Sequence, residues 1–276
     1  MTIEKNVVYG MYSGLALLMD VYVPEAGRAN GYGIVHISGS GWSAPLGLDA
    51  RQLKDASHVE IEALPLVEAG YTVCTINHRA TPRFAYPAAV EDAQRAVRFM
   101  RHNAARFGIR KDRIGAIGGS SGGHLVSMLG VLDGEGDPED ESAVNRESAR
   151  VQCVVARAAP TSFLEMAGRA RGAPALFLGA QLNPEADPGS IEQRRAVEAS
   201  PITHVGPDAP PFLLIHGDAD ETVPYAQSEA MEAALRKAGV PVGLVKVPGG
   251  VHGPGIVRGP EIAAAIREWF DQHLKQ

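Results

Sequence analysis

The sequence predicts an α/β protein in which a mostly parallel sheet carries helices on both faces. Three observations lead there. Short apolar runs alternate with segments of helical period along the 276 residues. Most of those runs are apolar nearly throughout, the pattern of strands covered on both sides. A glycine-flanked serine pair also sits where one such run gives way to a helical segment.

In chain order, the strand-like runs are Leu15–Val23, Gly33–Ile37, Tyr71–Ile76, Arg113–Ile117, Val151–Ala159, Phe212–His216 and Val242–Val247. The opening strands, joined without a helix, are expected to form an antiparallel edge. A helix is predicted where Ala89, Ala93, Ala96, Val97, Met100 and Ala104 fall on one face, with Pro87 in its first turn and Gly108 at its end. A second follows the serine pair with Leu125, Val126, Met128, Leu129 and Leu132, and Tyr225–Ala238 and Pro260–Leu274 read the same way. Asp133–Ser148 carries seven acids against one arginine. Its acidic spacing begins like a calcium loop, but the glycine and terminal glutamate of that motif do not follow, so a solvated surface loop and no metal are expected. Residues 160–200 interrupt the alternation, and such an insertion at the carboxyl end of a strand covers the site in many sheet enzymes. With no repeats and no linker, the expectation is a single domain over 1–276, with 160–200 as a partial lid.

Composition narrows the partners. Hydrophobic residues make up 45% and charged residues 21%, and the formal net charge is −6. That balance argues against nucleic acid, which needs clustered Lys and Arg. Cys74 and Cys153 lie inside apolar runs and are expected to be reduced and buried. The start of the chain lacks the basic-then-apolar pattern of a secretory signal, and no run approaches the ~18 apolar residues of a membrane helix. A cytoplasmic protein with no membrane partner is expected.

The chemistry gathers around Ile117–Leu125, "IGGSSGGHL". Gly118–Gly122 frame Ser120 as G-x-S-x-G, and Gly119–Gly123 frame Ser121 equally well. A serine on a strand–turn–helix junction is held above the sheet on a strained turn, with small neighbours so that helix and strand can meet. A phosphate-binding loop would need a following Lys or a G-x-G-x-x-G spacing, and neither occurs. A hydroxyl nucleophile needs a base, and the base an orienting carboxylate; on this kind of sheet the chain order is Ser, acid, His. His252, in the small-residue loop "VPGGVHGPG" after a strand, is the candidate base, whereas His273 lies in the amphipathic last helix. Asp220 and Asp218 both follow the strand Phe212–His216; Asp218 suits a turn and Asp220 reaches further toward His252. His36 and His216, at strand ends, suit structural hydrogen bonding. Backbone donors for a developing oxyanion are expected from the residue after the nucleophile and from the loop "ISGSGW", Ile37–Trp42.

Together these blocks resemble the α/β-hydrolase superfamily, in its bacterial carboxylesterase branch of hormone-sensitive-lipase-like and xylan- or feruloyl-esterase-like enzymes. The resemblance runs over most of the chain. It implies an eight-stranded, mostly parallel sheet, no cofactor, and hydrolysis of small to medium acyl esters through an acyl-enzyme. Matched to the branch's G-G-S-A-G-G-H-L elbow, the nucleophile is Ser120, and Ser121 takes the alanine position and offers its N–H. The block H-G-x-x-D-x-x-V-P places the acid at Asp220, and "GGVHG" supports His252. The oxyanion loop H-G-G-G-W aligns with Ser38-Gly39-Ser40-Gly41-Trp42, implying donors at Ser40 and Gly41 and a substrate-binding Trp42. Here the chain departs from the branch: Ser38 replaces the anchoring histidine, and Ser40 brings a Cβ and hydroxyl toward the acyl side. The resemblance also covers amide hydrolases, arylformamidase-like or peptidase, and inactive ligand-binding relatives. The implied partner is a small-molecule ester, with a homodimer left open.

Overall fold

The computed structural model describes residues 1–166, 172–180, 187, 189–257 and 259–275. The strands are β1 (Thr2–Tyr12), β2 (Leu15–Val23), β3 (Gly33–Ile37), β4 (Thr72–Ile76), β5 (Ile114–Gly119), β6 (Val154–Arg157), β7 (Phe212–Gly217) and β8 (Val242–Val247). They form one sheet in the order β1-β2-β4-β3-β5-β6-β7-β8. The pairs β1–β2 and β2–β4 are antiparallel, and every pair from β4 onward is parallel. The predicted sheet and its antiparallel edge are therefore present. The sequence did not single out β1. Its largely exposed residues and its register breaks between Glu4 and Val7 and between Val8 and Gly10 blur the two-residue alternation. Ser13 and Gly14, both at positive φ, close the β1–β2 hairpin in the manner of a two-residue type I′ turn.

The helices are α1 (Leu64–Glu68), α2 (Ala88–His102), α3 (Ser121–Val131), α4 (Ala173–Leu178), α5 (Ile191–Ala199), α6 (Ala226–Lys237) and α7 (Pro260–Leu274). A π-helical turn, Val59–Ala63, runs directly into α1. Two apolar clusters occupy the two faces of the sheet. One joins Val97 and Met100 of α2, Leu125 and Met128 of α3, and Met231 and Leu235 of α6 to β3 and β5. The other joins Leu66 and Val67 of α1 and Ile262, Ile266 and Phe270 of α7 to Ile34, Ile117 and Val155. The α3 helix is buried along nearly its whole length, which explains why its sequence is apolar on every side. The acidic segment 133–148 is a surface loop tied down by Arg95, Arg98 and Arg150.

Part of the 160–200 segment lies outside the described residues, at 167–171, 181–186 and 188. What is described includes α4, whose Phe177 stacks on Trp42 at 4.5 Å and 16°. His124 and Phe163 complete this aromatic layer at 5.3 and 5.6 Å from Trp42. The Trp42 indole N–H donates to His124 Nδ1 at 3.1 Å, and His124 Nε2–H donates to the Ala199 carbonyl at 2.7 Å. An indole can only donate and a carbonyl can only accept, so this arrangement requires neutral His124. Burial lowers its pKa to about 4.

Two stability predictions follow from the packing. On α7, Phe270 fills the space left by the missing side chain of Gly115 on β5, and a Cβ there would press into the ring. Phe270→Ala should cost about 3–5 kcal/mol in urea unfolding, as truncation of a buried aromatic does. For His124, the folded pKa lies below the unfolded one. Its contribution is complete above about pH 6.5 and is lost as pH falls toward 4. Unfolding free energies from urea titrations across that window should fall in wild type by an amount that includes on the order of 3 kcal/mol from this group. In His124→Gln the decline should be shallower by that amount.

Candidate active site

The C-terminal ends of β3, β5, β7 and β8 bring the candidate residues together, where ligands bind in open parallel sheets. Ser120 follows β5 directly, with φ 53° and ψ −124°, and Ser121 is the first residue of α3. The geometry thus distinguishes the two registers: one serine occupies the turn and the other the helix. The turn is forced by contact. A Cβ on Gly122 would collide with the Ile37 carbonyl, and one on Gly118 would lie 2.6 Å from the Gly122 backbone. Only glycines allow α3 to start this close to β3 and β5. The Ser120 N–H donates to the Arg157 carbonyl at 2.8 Å, fixing the turn to β6 as well.

From this turn the Ser120 hydroxyl lies 2.9 Å from His252 Nε2, and His252 Nδ1 lies 2.6 Å from Asp220 Oδ2. Because the carboxylate only accepts, Nδ1 carries the proton, leaving Nε2 to accept from Ser120. Asp220 is nearly buried, and burial alone would raise its pKa. Hydrogen bonds from His216 and His252, and the Val223 N–H at 2.8 Å, outweigh that and hold the carboxyl well below its usual range. His216 is held by the Ser228 hydroxyl at 2.7 Å and the Val223 carbonyl at 3.0 Å, and its Nε2 also comes within 3.4 Å of Asp220. Asp218 has a different task. It accepts the Gly249 N–H at 2.6 Å and pairs with Lys246 at 3.3 Å, so it shapes the loop that carries His252.

The loop after β3 lies against the turn. A Cβ on Gly39 would sit 2.7 Å from the Gly119 carbonyl and 3.1 Å from Ser120 Cβ, so only glycine fits there. Next along, the Ser40 N–H donates to the Ser121 hydroxyl at 2.9 Å. The family resemblance implied only a backbone role for Ser121, and its side chain adds a second link between the loop and α3. Gly41 has φ +63° and the Ser121 N–H, opening a helix, has no carbonyl one turn back to bond. The hydroxyls of Ser38 and Ser40 are buried without a partner among the described residues. Trp42, expected at the substrate, is 2% exposed and committed to the aromatic layer under α4, which leaves it no open face. It buttresses the loop from behind.

A buried polar group that the sequence reading did not anticipate lies beneath these residues. Arg157, at the end of β6, pairs with Glu62 of the π-helical turn, and Glu62 also meets His36 Nε2 at 3.1 Å. Burial would raise the Glu62 pKa, but Arg157 and then the His36 hydrogen bond overcome it and lower it to about 2. Burial lowers neighbouring His58 to about 4. The available signal was Arg157 itself, a lone charge inside the apolar run "VQCVVARAA", where an unpaired arginine would be costly.

The BD-FAE family matches residues 19–235 of the chain. Among curated proteins, the chain is similar to the esterase LipQ of Mycobacterium tuberculosis, with 31% identity over 229 residues, covering 74% of this chain and 48% of that one. The chain spans about half the length of the first curated relatives it matches. Among solved structures, it resembles a truncated carbohydrate esterase from gut microbiota, with a TM-score of 0.85 and 29% identity over 100% of this chain and 97% of the other. It also resembles an acetyl ester-xyloside bifunctional hydrolase from Caldicellulosiruptor lactoaceticus, with a TM-score of 0.81 and 26% identity over 97% and 95% of the two chains. With a family match over most of its length and an eight-stranded sheet of the corresponding topology, the chain belongs to the BD-FAE family of the α/β-hydrolase superfamily.

Proposed function

We propose that the chain is a serine carboxylesterase that cleaves small to medium acyl esters through an acyl-enzyme. The observation that carries this reading is the pair of consecutive hydrogen bonds linking Ser120, His252 and Asp220. Relatives named as esterases over matching regions support it. The carbohydrate-esterase and acetyl ester-xyloside neighbours favour short acyl groups on sugars among its substrates.

In the proposed reaction, Ser120 Oγ attacks the ester carbonyl while its proton passes to His252 Nε2. Asp220, kept ionised by its hydrogen bonds, holds the imidazole in the productive tautomer and stabilises the imidazolium. The N–H groups of Ser40, Gly41 and Ser121 receive the oxyanion; for Ser40 this means exchanging the Ser121 hydroxyl for the substrate oxygen. The imidazolium protonates the leaving alcohol, and the neutral ring then activates water to release the acid. In that second half the water proton passes to His252 Nε2 and on to Ser120 Oγ as the acid leaves, so the scheme needs only water besides the chain's own groups. The reading includes a single domain with 160–200 as a partial lid; in the described part of that segment, α4 rests on the oxyanion loop through Phe177 and Trp42. Cytoplasmic residence is part of the reading, consistent with Cys74 and Cys153 being buried and unpaired. Among the described residues no helix is long and apolar enough to cross a membrane.

The test is turnover of p-nitrophenyl and acetylated-sugar esters, with intact-mass detection of a fluorophosphonate adduct. Ser120→Ala should lower kcat by roughly 10⁴-fold or more and abolish the adduct. Ser121→Ala, which frees the Ser40 N–H and keeps the backbone donor, should stay within about threefold of wild type, well short of the roughly 10²-fold or greater loss of a deleted donor. Wild-type turnover in Ser120→Ala would exclude it as the nucleophile.

A further inference from the structure

Arg157 touches both halves of the candidate active site without facing the substrate. Its carbonyl accepts the Ser120 N–H. Its guanidinium lies against Gly119, where a Cβ would collide with it. One arm of the guanidinium binds Glu62, and the other donates to the Gly253 carbonyl at 3.1 Å, one residue beyond His252. The side chain is almost completely buried, as is Glu62. A buried guanidinium with a single carboxylate partner and a backbone carbonyl is not explained by stability, because apolar residues of similar volume would serve as well or better. What the fork supplies is a fixed distance between the π-helical turn, the end of β5 and the loop carrying the base.

Resting on the ester-hydrolase reading above, we propose that Arg157, neutralised by Glu62, is a positioning residue that sets the His252 imidazole over Ser120 by anchoring the Gly253 carbonyl. The charge balance is part of the device. An unneutralised guanidinium this close would oppose the imidazolium that forms during attack. Glu62 removes that opposition while leaving the fork in place. The charged and titratable groups around the anchor are Glu62 and His58 from the π-helical turn and its start, His36 from β3, and His252 with Asp220 from the loops after β8 and β7. Of these, His58 is kept uncharged by burial above about pH 4, so Glu62 is the counter-charge at neutral pH.

The experiment compares wild type, Arg157→Lys and Glu62→Gln for p-nitrophenyl acetate turnover across pH, and for the far-downfield proton NMR signal of the His252–Asp220 hydrogen bond. Arg157→Lys keeps the charge but cannot fork. Its kcat should fall roughly 10- to 100-fold with KM little changed, as for a misplaced catalytic group, and the downfield signal should broaden or vanish. Glu62→Gln keeps the hydrogen-bonding shape but unmasks the positive charge. The acid limb of its kcat/KM profile should move to lower pH by about half to one unit, with a reduced plateau. A role confined to stability predicts lower unfolding midpoints, an unmoved acid limb and a sharp downfield signal in both variants, and that result overturns the proposal. If Arg157→Lys does not fold, the acid limb of Glu62→Gln decides. Should wild type turn over no ester and take up no phosphonate, the esterase reading fails by itself, and the NMR signal in Arg157→Lys still decides whether Arg157 positions His252.

Discussion

The molecule depends on how closely the start of α3 approaches the ends of β3 and β5. Gly122 rests on the Ile37 carbonyl and Gly118 on the Gly122 backbone, with no room for a single carbon at either place. That contact drives Ser120 into a backbone conformation that L-residues rarely adopt. The strain is held by packing on three strands, and in exchange the hydroxyl stands clear of the sheet. The rest of the candidate site is arranged about that one fixed point. The β3 loop lies over it through Gly39, β6 ties its N–H, and the β7 and β8 loops lean in from the other side.

Two carboxylates at the same end of the sheet show how environment divides labour. Asp220 faces the His252 imidazole, and hydrogen bonds from His216 and His252, with the Thr222 and Val223 N–H groups, keep the carboxylate ionised. Glu62 faces a guanidinium that never changes charge. The first pair is suited to a charge that comes and goes, and the second to a charge that must be silent. Both are shielded from water, which strengthens each interaction and raises the cost of leaving either partner alone.

Most of the sheet and the central constellation were legible in the sequence because their signals are local. A strand covered on both faces is a short apolar run, and the glycines around Ser120 and Ser121 mark a strand–turn–helix junction, while the choice of Ser120 over Ser121 rested on the family resemblance. The boundaries of β4 and β6 are narrower than the apolar runs Tyr71–Ile76 and Val151–Ala159, since apolar residues continue past the last ladder bond. The exposed edge strand β1 and the π-helical turn carried no such signature. What lay beyond reading were partnerships between distant segments. Nothing local says that Ser121 will hold the Ser40 N–H across 81 positions, or that Trp42 will be covered by Phe177 and bonded to His124. The same holds for Glu62 and Arg157, separated by 95 positions and meaningful only once folded.

The candidate base, His252, follows the strand at the margin of the sheet. β8 has a neighbour on one side only, and its residues are half-buried where those of β5 and β7 are buried. Its loop is fastened inward by Asp218 to Gly249, by Asp220 to His252 and by Arg157 to Gly253. Margins of sheets open more often than centres, so a residue carried there depends on side-chain fastenings more than one on an interior strand does. The candidate constellation therefore joins Ser120, seated on an interior strand, to His252, carried by a border one, and its alignment rests on those three fastenings.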